Sequence, residues 1–190
     1  EFHGSLYGAF RDGDWFGDHP LTGAPFREFT DEETYGFTLG GPIVKDKLFF
    51  FANYEKYARS APGVSIADTP YGKGSITDAD ITKAQNLMQG LGYDIGSLNA
   101  PANKTEIEEY AVKLDWNINE SHRAALRYNK MEQSVMRFPG MTSSTVSLSS
   151  HWYAQPKTYE TWMGEVFSDW SENFSTEFKI SQKDYSANRV

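Results

Sequence analysis

The feature that most constrains this chain is a strict alternation of apolar and polar side chains in paired segments. Between Tyr110 and Ile118 every second residue is apolar, and the residues between them are mostly polar or charged. A period of two places successive side chains on opposite faces of a β-strand. Residues 123–133 repeat this pattern after a short turn. The two segments therefore predict an antiparallel pair with one apolar face and one polar face.

Similar segments recur along the chain and predict roughly seven strands. The other five cover residues 1–11, 34–41, 48–57, 157–170 and 174–181. Several approach the ~9–11 residues that a tilted strand needs to cross a bilayer. Short turns follow Gly41, Ile118 and Trp170, and long polar loops follow Arg11, Tyr57 and Gln133. Short turns at one end and long loops at the other are typical of outer-membrane β-barrels.

Composition favours the same fold class. Aromatic residues make up 15% of the chain, and yet its mean hydropathy is −0.59. That combination suits a barrel with aromatic girdles and a wet interior. Four aromatic residues near the short turns are expected to form one interfacial belt: Phe49, Trp116, Trp170 and Phe174. A soluble β-sandwich also alternates apolar and polar residues, but its strands are usually shorter and its loops are not sorted by length.

The long segment 59–105 is expected to be an extracellular loop within a single barrel domain that covers residues 1–190. It contains one predicted helix, with Thr77 as N-cap and Asp80 three residues later. Apolar residues then recur at helical spacing at Ile81, Ala84, Met88 and Leu91. Gly90 or Gly92 is expected to end this helix. We interpret it as a small helix that packs its own loop, in preference to a helix that binds a partner.

Catalytic and cofactor motifs are absent from the sequence. There is no G-x-S-x-G motif, the four histidines are dispersed, and cysteine is lacking. The net charge is −8 with scattered basic residues, which argues against nucleic acid as a partner. We therefore expect no enzyme and no cofactor. A calcium site in the first loop is a minor hypothesis that rests on its acidic residues Asp12, Asp14, Asp18, Asp31, Glu32 and Glu33.

Two sets of residues are candidates for contact with a solute. Mixed charges are expected on the inward face, where they form a cross-strand network or contact a substrate: Lys113, Asp115, Arg127, Glu165, Glu177 and Lys179. Aromatic residues of the long loops are the better candidates for ligand capture, although simple loop packing is as good an interpretation. These are Trp15, Phe16, Trp152 and Tyr153.

The segment GGPIVKDKLFFFANYE, residues 40–55, resembles a signature of the Oar-like TonB-dependent outer-membrane receptors. In that family a Gly-Gly-Pro turn is followed by Lys-Asp-Lys, a run of phenylalanines and then Tyr-Glu. The opening EFHGSLYGAFR is similar to the family's first barrel strand, so about the first third of the chain carries the resemblance. Gly40 and Gly41 allow unusual backbone angles, and we expect Pro42 to fix φ in a turn over 42–47.

The resemblance implies a transporter in the outer membrane of a Gram-negative bacterium, surrounded by outer-membrane lipid. It further implies a TonB complex as partner, a plug domain, active uptake of an unidentified solute, and a barrel of more than twenty strands. A plug and a TonB-contacting segment are not visible in this sequence. Seven strands cannot close such a barrel, so further strands are expected, mainly after Val190. A passive pore, an adhesin barrel, and a secreted soluble β-domain that binds glycan or protein are the alternatives.

Overall fold

A computed structural model describes residues 1–18, 20–21, 23, 28–61, 76–98, 103–140 and 145–190. Its strands form one open antiparallel sheet in which each strand pairs with its neighbours in sequence. They are β1 (His3–Asp12), β2 (Asp31–Val44), β3 (Leu48–Ala61), β4 (Asn103–Asn117), β5 (His122–Arg137), β6 (Tyr153–Ser171) and β7 (Phe174–Ala187). The prediction of seven antiparallel strands is confirmed, as is the all-β fold class with one short helix.

The strands are longer than the sequence pattern predicted, mainly at the ends that lead into the long loops. β4 has 15 residues and begins at Asn103, whereas the alternation begins at Tyr110. β3 likewise continues to Ala61, so the connection between the two strands covers 62–102 and not 59–105. The hydrogen-bonded ladder continues where both faces are polar, because pairing of the backbone does not require an apolar face.

Opposed residues in an antiparallel pair point to the same side, so the register defines the two faces of the sheet. One row joins Leu48, Trp116, Ala124, Val166 and Phe178 across five strands, and we call this apolar side the outer face. The opposite side, which carries Glu55, Lys113 and Glu165, is the polar face. Only three hydrophobic side chains are buried among the described residues, so the outer face has no second layer over it. Lipid is the environment that such a face requires.

The three short turns lie side by side along one edge. The backbone N–H of Asn117 donates to the carbonyl of Lys47 at 2.7 Å, and that of Asp169 donates to the carbonyl of Ser121 at 2.8 Å. These bonds join the turn after β2 to the turn after β4, and the turn after β4 to the end of β6. We call this edge the turn rim. The long connections all leave from the opposite ends of the strands, as the sequence predicted.

The predicted turn over residues 42–47 is wrong in its bounds. β2 extends to Val44 with a bulge between Pro42 and Val44, and only residues 45–47 turn, around Asp46 with a φ of 61°. A bulge tolerates proline because it removes the need for a ladder N–H. Gly40 and Gly41 belong to the extended strand and neither has a positive φ, so the conformational freedom that glycine allows is not used for a turn at these positions. At Gly41 a Cβ would lie 2.5 Å from the ring of Phe2, so the glycine makes room for that ring.

The predicted aromatic belt needs one correction. Trp116, Trp170 and Phe174 lie near the turn rim on the outer face, but Phe49 lies opposite Asp115 on the polar face. Phe50 is the residue whose side chain joins the outer face, where it contacts Phe2 at a centroid distance of 6.2 Å. The period of two reverses the side at each residue, so proximity to a turn in sequence does not fix the face.

The predicted helix forms as α1 (Asp78–Gly90), with the capping box of Thr77 and Asp80 in place. Gly92 follows it with a φ of +85°, as expected for a residue that ends a helix. Gln85 donates to the carbonyl of Gly96 at 2.6 Å, which holds the helix against the segment that follows it. No helix among the described residues is long and apolar enough to cross a membrane.

The assignment of faces is tested by arginine at two alanines of similar depth. Ala52 lies on the outer face opposite Val112, and Ala111 lies on the polar face opposite Asn53. We expect Ala52→Arg to lower the free energy of unfolding by about 2–4 kcal/mol, since it places a charge in hydrocarbon. Ala111→Arg should cost less than about 1 kcal/mol. Denaturant titration of the protein in lipid bilayers measures both, and equal losses would contradict the assignment.

Candidate functional site

The polar face of β1–β3 is crossed by a side chain that spans three strands. Tyr7 on β1 donates its hydroxyl to the carboxylate of Glu55 on β3 at 2.6 Å. Gly36 on β2 lies between them, and a Cβ there would stand 2.6 Å from the Tyr7 hydroxyl. The missing side chain of Gly36 is therefore what allows the ring of Tyr7 to lie flat across β2.

Nearer the long loops, the polar face carries a buried carboxylate with two partners. Glu32 is 8% exposed, pairs with the guanidinium of Arg11 on the preceding strand, and accepts a hydrogen bond from Tyr57 at 2.9 Å. A buried carboxylate is stable only with such compensation. The three side chains link β1, β2 and β3, as Tyr7 and Glu55 do at a position nearer the turn rim.

Phe29, just before β2, packs against this cluster on the side of the long loops. Its ring is buried, with the guanidinium of Arg11 at 5.9 Å and that of Arg59 at 5.4 Å from the ring centre. Arg59 also donates to the carbonyl of Glu28 at 2.8 Å. Two cations over one ring and a backbone acceptor hold the end of the first loop against the polar face.

The polar face of β4–β7 has the expected network of mixed charge. Lys113 lies 2.7 Å from Asp115, and Lys179 pairs with Glu165 on the neighbouring strand. Arg127 lies directly opposite Lys113. Like charges in opposed positions repel, so nearby carboxylates are required to keep both cations on this wall. Glu177 lies opposite Phe167. The expected network is therefore present in these two ion pairs, of which the pair of Lys179 with Glu165 crosses between strands.

The two aromatic candidates in the first loop go to different places. Trp15 packs edge-on against Phe10 of β1 at a centroid distance of 5.6 Å, and Phe10 belongs to the outer face. Phe16 packs against Phe29 at 5.5 Å, above the polar face. The side chain of Phe16 is therefore the one of this pair that lies near the cluster around Glu32.

The two aromatic candidates of the third loop are held by separate contacts. Trp152 packs edge-on against Phe138 at 5.1 Å and donates its indole N–H to Ser147 at 2.9 Å. Tyr153 opens β6, where the guanidinium of Arg189 lies 4.8 Å from its ring centre. This pair lies at β5–β7, several strands away from Trp15 and Phe16 in the sheet order. Their role in ligand capture stays a prediction.

The second and third long loops dock onto each other by backbone and serine contacts. Ser149 donates its N–H to the carbonyl of Ser97 at 2.9 Å, and Ser97 donates its own to the hydroxyl of Ser149 at 2.9 Å. Ser150 adds a bond to the carbonyl of Ile95 at 2.7 Å. α1, which is joined to this segment through Gln85, is thereby fixed beside the third loop.

Several acidic residues of the first loop already have protein partners. Asp12 accepts from the N–H of Asp14, Asp31 accepts from Thr30, and Glu32 is held by Arg11 and Tyr57. Among the described residues, no group of three or more metal-ligating side chains lies together. The calcium site stays a prediction, and the contacts made by these acidic residues do not support it.

Sequence reasoning missed Tyr7, Gly36 and the cluster around Phe29. The signal for Gly36 was present, because a glycine inside a strand often marks a close approach of another group. Its partner on β1 depends on the register, which the sequence alone does not give. The buried position of Phe29 had no local signal, since it depends on two arginines from different strands.

Gly36→Ala tests the contact that spans β2. A Cβ would meet the Tyr7 hydroxyl and the carbonyl of Tyr54, both closer than 3.0 Å, so the side chain of Tyr7 must move. We expect a loss of about 1–3 kcal/mol in the free energy of unfolding, and non-additivity with Tyr7→Phe in a double-mutant cycle. Gly8→Ala is the matched control, because its Cβ would find only ordinary contacts. Strict additivity would count against the contact.

The capping box of α1 predicts a pH dependence. Hydrogen bonds from the Thr77 hydroxyl and backbone N–H lower the pKa of Asp80. Because the pKa of Asp80 is lower in the folded protein, its carboxylate stabilises the helix in full at pH values above the pKa that it has in the unfolded chain. This stabilisation is lost as the pH falls through the pKa of Asp80 in the folded protein. Amide hydrogen exchange over residues 78–90 should therefore accelerate on acidification, beyond its intrinsic pH dependence. Asp80→Asn should abolish that extra acceleration, and an unchanged profile in this variant would refute the mechanism.

Comparison with known proteins agrees with this architecture. Residues 1–86 match the model of a family described as an outer membrane beta barrel domain. No curated protein and no solved structure matches the chain. The matched residues include β1–β3, with the Gly36 crossing and the cluster around Glu32. The apolar outer face, the separation of short turns from long loops at opposite ends of the strands, and this match all indicate the same class of protein. The protein is an outer-membrane β-barrel protein of a Gram-negative bacterium.

Proposed function

We propose that this protein takes part in active, TonB-dependent uptake of a solute across the outer membrane. The observation that carries the proposal is the polar face, which is a wall of charged and hydrogen-bonded side chains and not a packed apolar core. Such a wall suits a water-filled interior through which a solute moves. The energy source is proposed from the resemblance of residues 40–55 to the Oar-like receptors.

The first support is that the wall is braced across strands. The bond from Tyr7 to Glu55 and the pair of Lys179 with Glu165 each join different strands. Lys179 and Glu165 compensate one another's charge and Tyr7 bonds to the carboxylate of Glu55, so a passing solute does not meet these groups as isolated charges. A wall of this kind tolerates a changing occupant without losing its own structure.

The second support is the arrangement of the long loops. They all leave from the edge opposite the turn rim, and the second and third are fixed to each other through Ser97 and Ser149. Aromatic side chains lie at this end of the strands, with Phe16 near the first strands and Trp152 near the last ones. Aromatic rings supply large contact area at little entropic cost, which suits initial capture of a solute.

Deletion of the gene tests active uptake even while the solute is unidentified. Wild-type and deletion cells are grown in a defined extract of peptides, glycans and iron chelates, and depletion from the medium is followed by mass spectrometry. We expect at least one solute that only wild-type cells deplete, and we expect a protonophore to abolish this depletion. Trp152→Ala, produced at the same level, should raise the concentration required for half-maximal depletion.

The control variant is Trp170→Phe, since Trp170 lies at the turn rim, away from the long loops. Wild-type depletion that continues in the presence of protonophore would contradict active uptake and favour a passive pore. Identical depletion by wild-type and deletion cells would contradict any role in uptake and favour an adhesin.

A further inference from the structure

The polar face contains a cavity of about 240 Å³ near the middle of β4. Ala111 is its smallest lining side chain, and it lies directly opposite Asn53 on β3 and Asn129 on β5. A small residue between two longer ones leaves a space with an amide on each side, and we call this space the amide cavity. It is smaller than the about 300–1,000 Å³ of sites for drug-sized ligands, so it suits one ring of a larger solute.

The polar side chains of the amide cavity lack the bracing found elsewhere on the same face. The side-chain carbonyl oxygen Oδ1 of Asn53 is buried and has no hydrogen-bond partner among the described residues. Within the same part of the chain, the side chains of Asn129 and Thr161 make no hydrogen bond, and Glu109 makes no ion pair. A buried acceptor without a partner costs free energy. The terminal torsion of an asparagine is broad, so this amide can turn towards a donor that enters the cavity.

An aromatic ring borders the amide cavity on the side of the long loops. Tyr159 lines the cavity, and Tyr185 on β7 packs against its ring at a centroid distance of 4.6 Å. The ammonium of Lys183 lies 5.6 Å from the centre of the Tyr159 ring. The face of an aromatic ring carries partial negative charge and attracts C–H groups. The cavity therefore combines an aromatic surface with unpaired amide and hydroxyl groups.

We propose that the amide cavity binds one sugar ring of a neutral oligosaccharide. This inference rests on the proposed uptake of a solute, and it names the chemical class of that solute. A sugar ring has C–H groups on its faces and hydroxyls at its edge, and each hydroxyl both donates and accepts hydrogen bonds. The C–H groups pack on Tyr159, while the hydroxyls bond to Asn53, Asn129 and Thr161.

The charges around the amide cavity favour a neutral ligand. Among the described residues, Glu109 is the one charged side chain that lines it from the polar face, and it lies opposite Glu55. Lys130 also borders the cavity, but its side chain lies on the outer face near Glu160. An anionic solute would therefore meet carboxylates without a compensating cation. An ammonium group has no acceptor, so it would leave the N–H donors of the two asparagines unpaired.

An oligosaccharide array tests the class of ligand, with the purified full-length protein in detergent. The neutral probes are malto-, cello-, xylo- and manno-oligosaccharides, the anionic probes are oligogalacturonates, and the cationic probes are chitosan oligosaccharides. We expect binding to at least one neutral probe, and calorimetry then measures its affinity. Asn129→Ala and Tyr159→Ala should each weaken binding about tenfold. Tyr159→Phe keeps the ring face and should change the affinity by less than about threefold.

A change at the base of the cavity tests the site independently of its hydrogen-bonding groups. Ala111→Arg fills the cavity, and it is expected to fold because Ala111 lies on the polar face. We expect this variant to bind the same oligosaccharide at least about tenfold more weakly. Ala125→Arg is the matched control, since Ala125 lies on the polar face opposite Asp115 and outside the amide cavity. It should bind as the wild type does.

Binding of charged oligosaccharides alone, binding of none, or unchanged affinity in both Ala111→Arg and Tyr159→Ala would overturn the site. The uptake assay separates this failure from failure of the proposed function. Protonophore-sensitive depletion of only a peptide or an iron chelate would overturn the sugar site and leave active uptake in place. Cavity-dependent binding of a neutral oligosaccharide, with identical depletion by wild-type and deletion cells, would support the site and contradict uptake.

Discussion

Every other feature of this protein depends on the continuous backbone ladder between neighbouring strands. In hydrocarbon no water replaces a lost hydrogen bond, so each strand must pair with the next along its full membrane depth. The structure meets this demand in the simplest order, β1 to β7, with each strand beside its sequence neighbours. Once the ladder is fixed, the period of two assigns each side chain to lipid or to the interior.

The two faces then solve different problems. The outer face exposes apolar side chains such as Leu126 and Phe178 without a second layer, because lipid covers them. The polar face has charges that lipid would reject, and it compensates them through pairs such as Lys179 with Glu165. Glycines serve both faces in one way: Gly36 makes room for Tyr7 inside, and Gly41 makes room for Phe2 outside.

The sequence predicted those parts of the fold that depend on local pattern. The number of strands, the sorting of turns and loops, and the capping box of Thr77 all follow from spacing within a few residues. The strand ends did not, because the ladder continues past Tyr110 to Asn103, where neither face is apolar. The polar-face contacts were also out of reach, because the bond from Tyr7 to Glu55 joins residues 48 positions apart. Only the register brings such residues together.

The bracing of the polar face also bears on where specificity lies. A side chain already compensated by a neighbour gains little from a solute, and it loses its partner if it turns to the solute instead. Glu32, held by Arg11 and Tyr57, is such a group. The aromatic rings of the long loops, such as those of Phe16 and Trp152, carry no charge, so contact with a solute would not break an ion pair there. If the protein takes up a solute as we propose, selection of that solute therefore belongs to the long loops, and the polar face outside the amide cavity serves as a compensated wall.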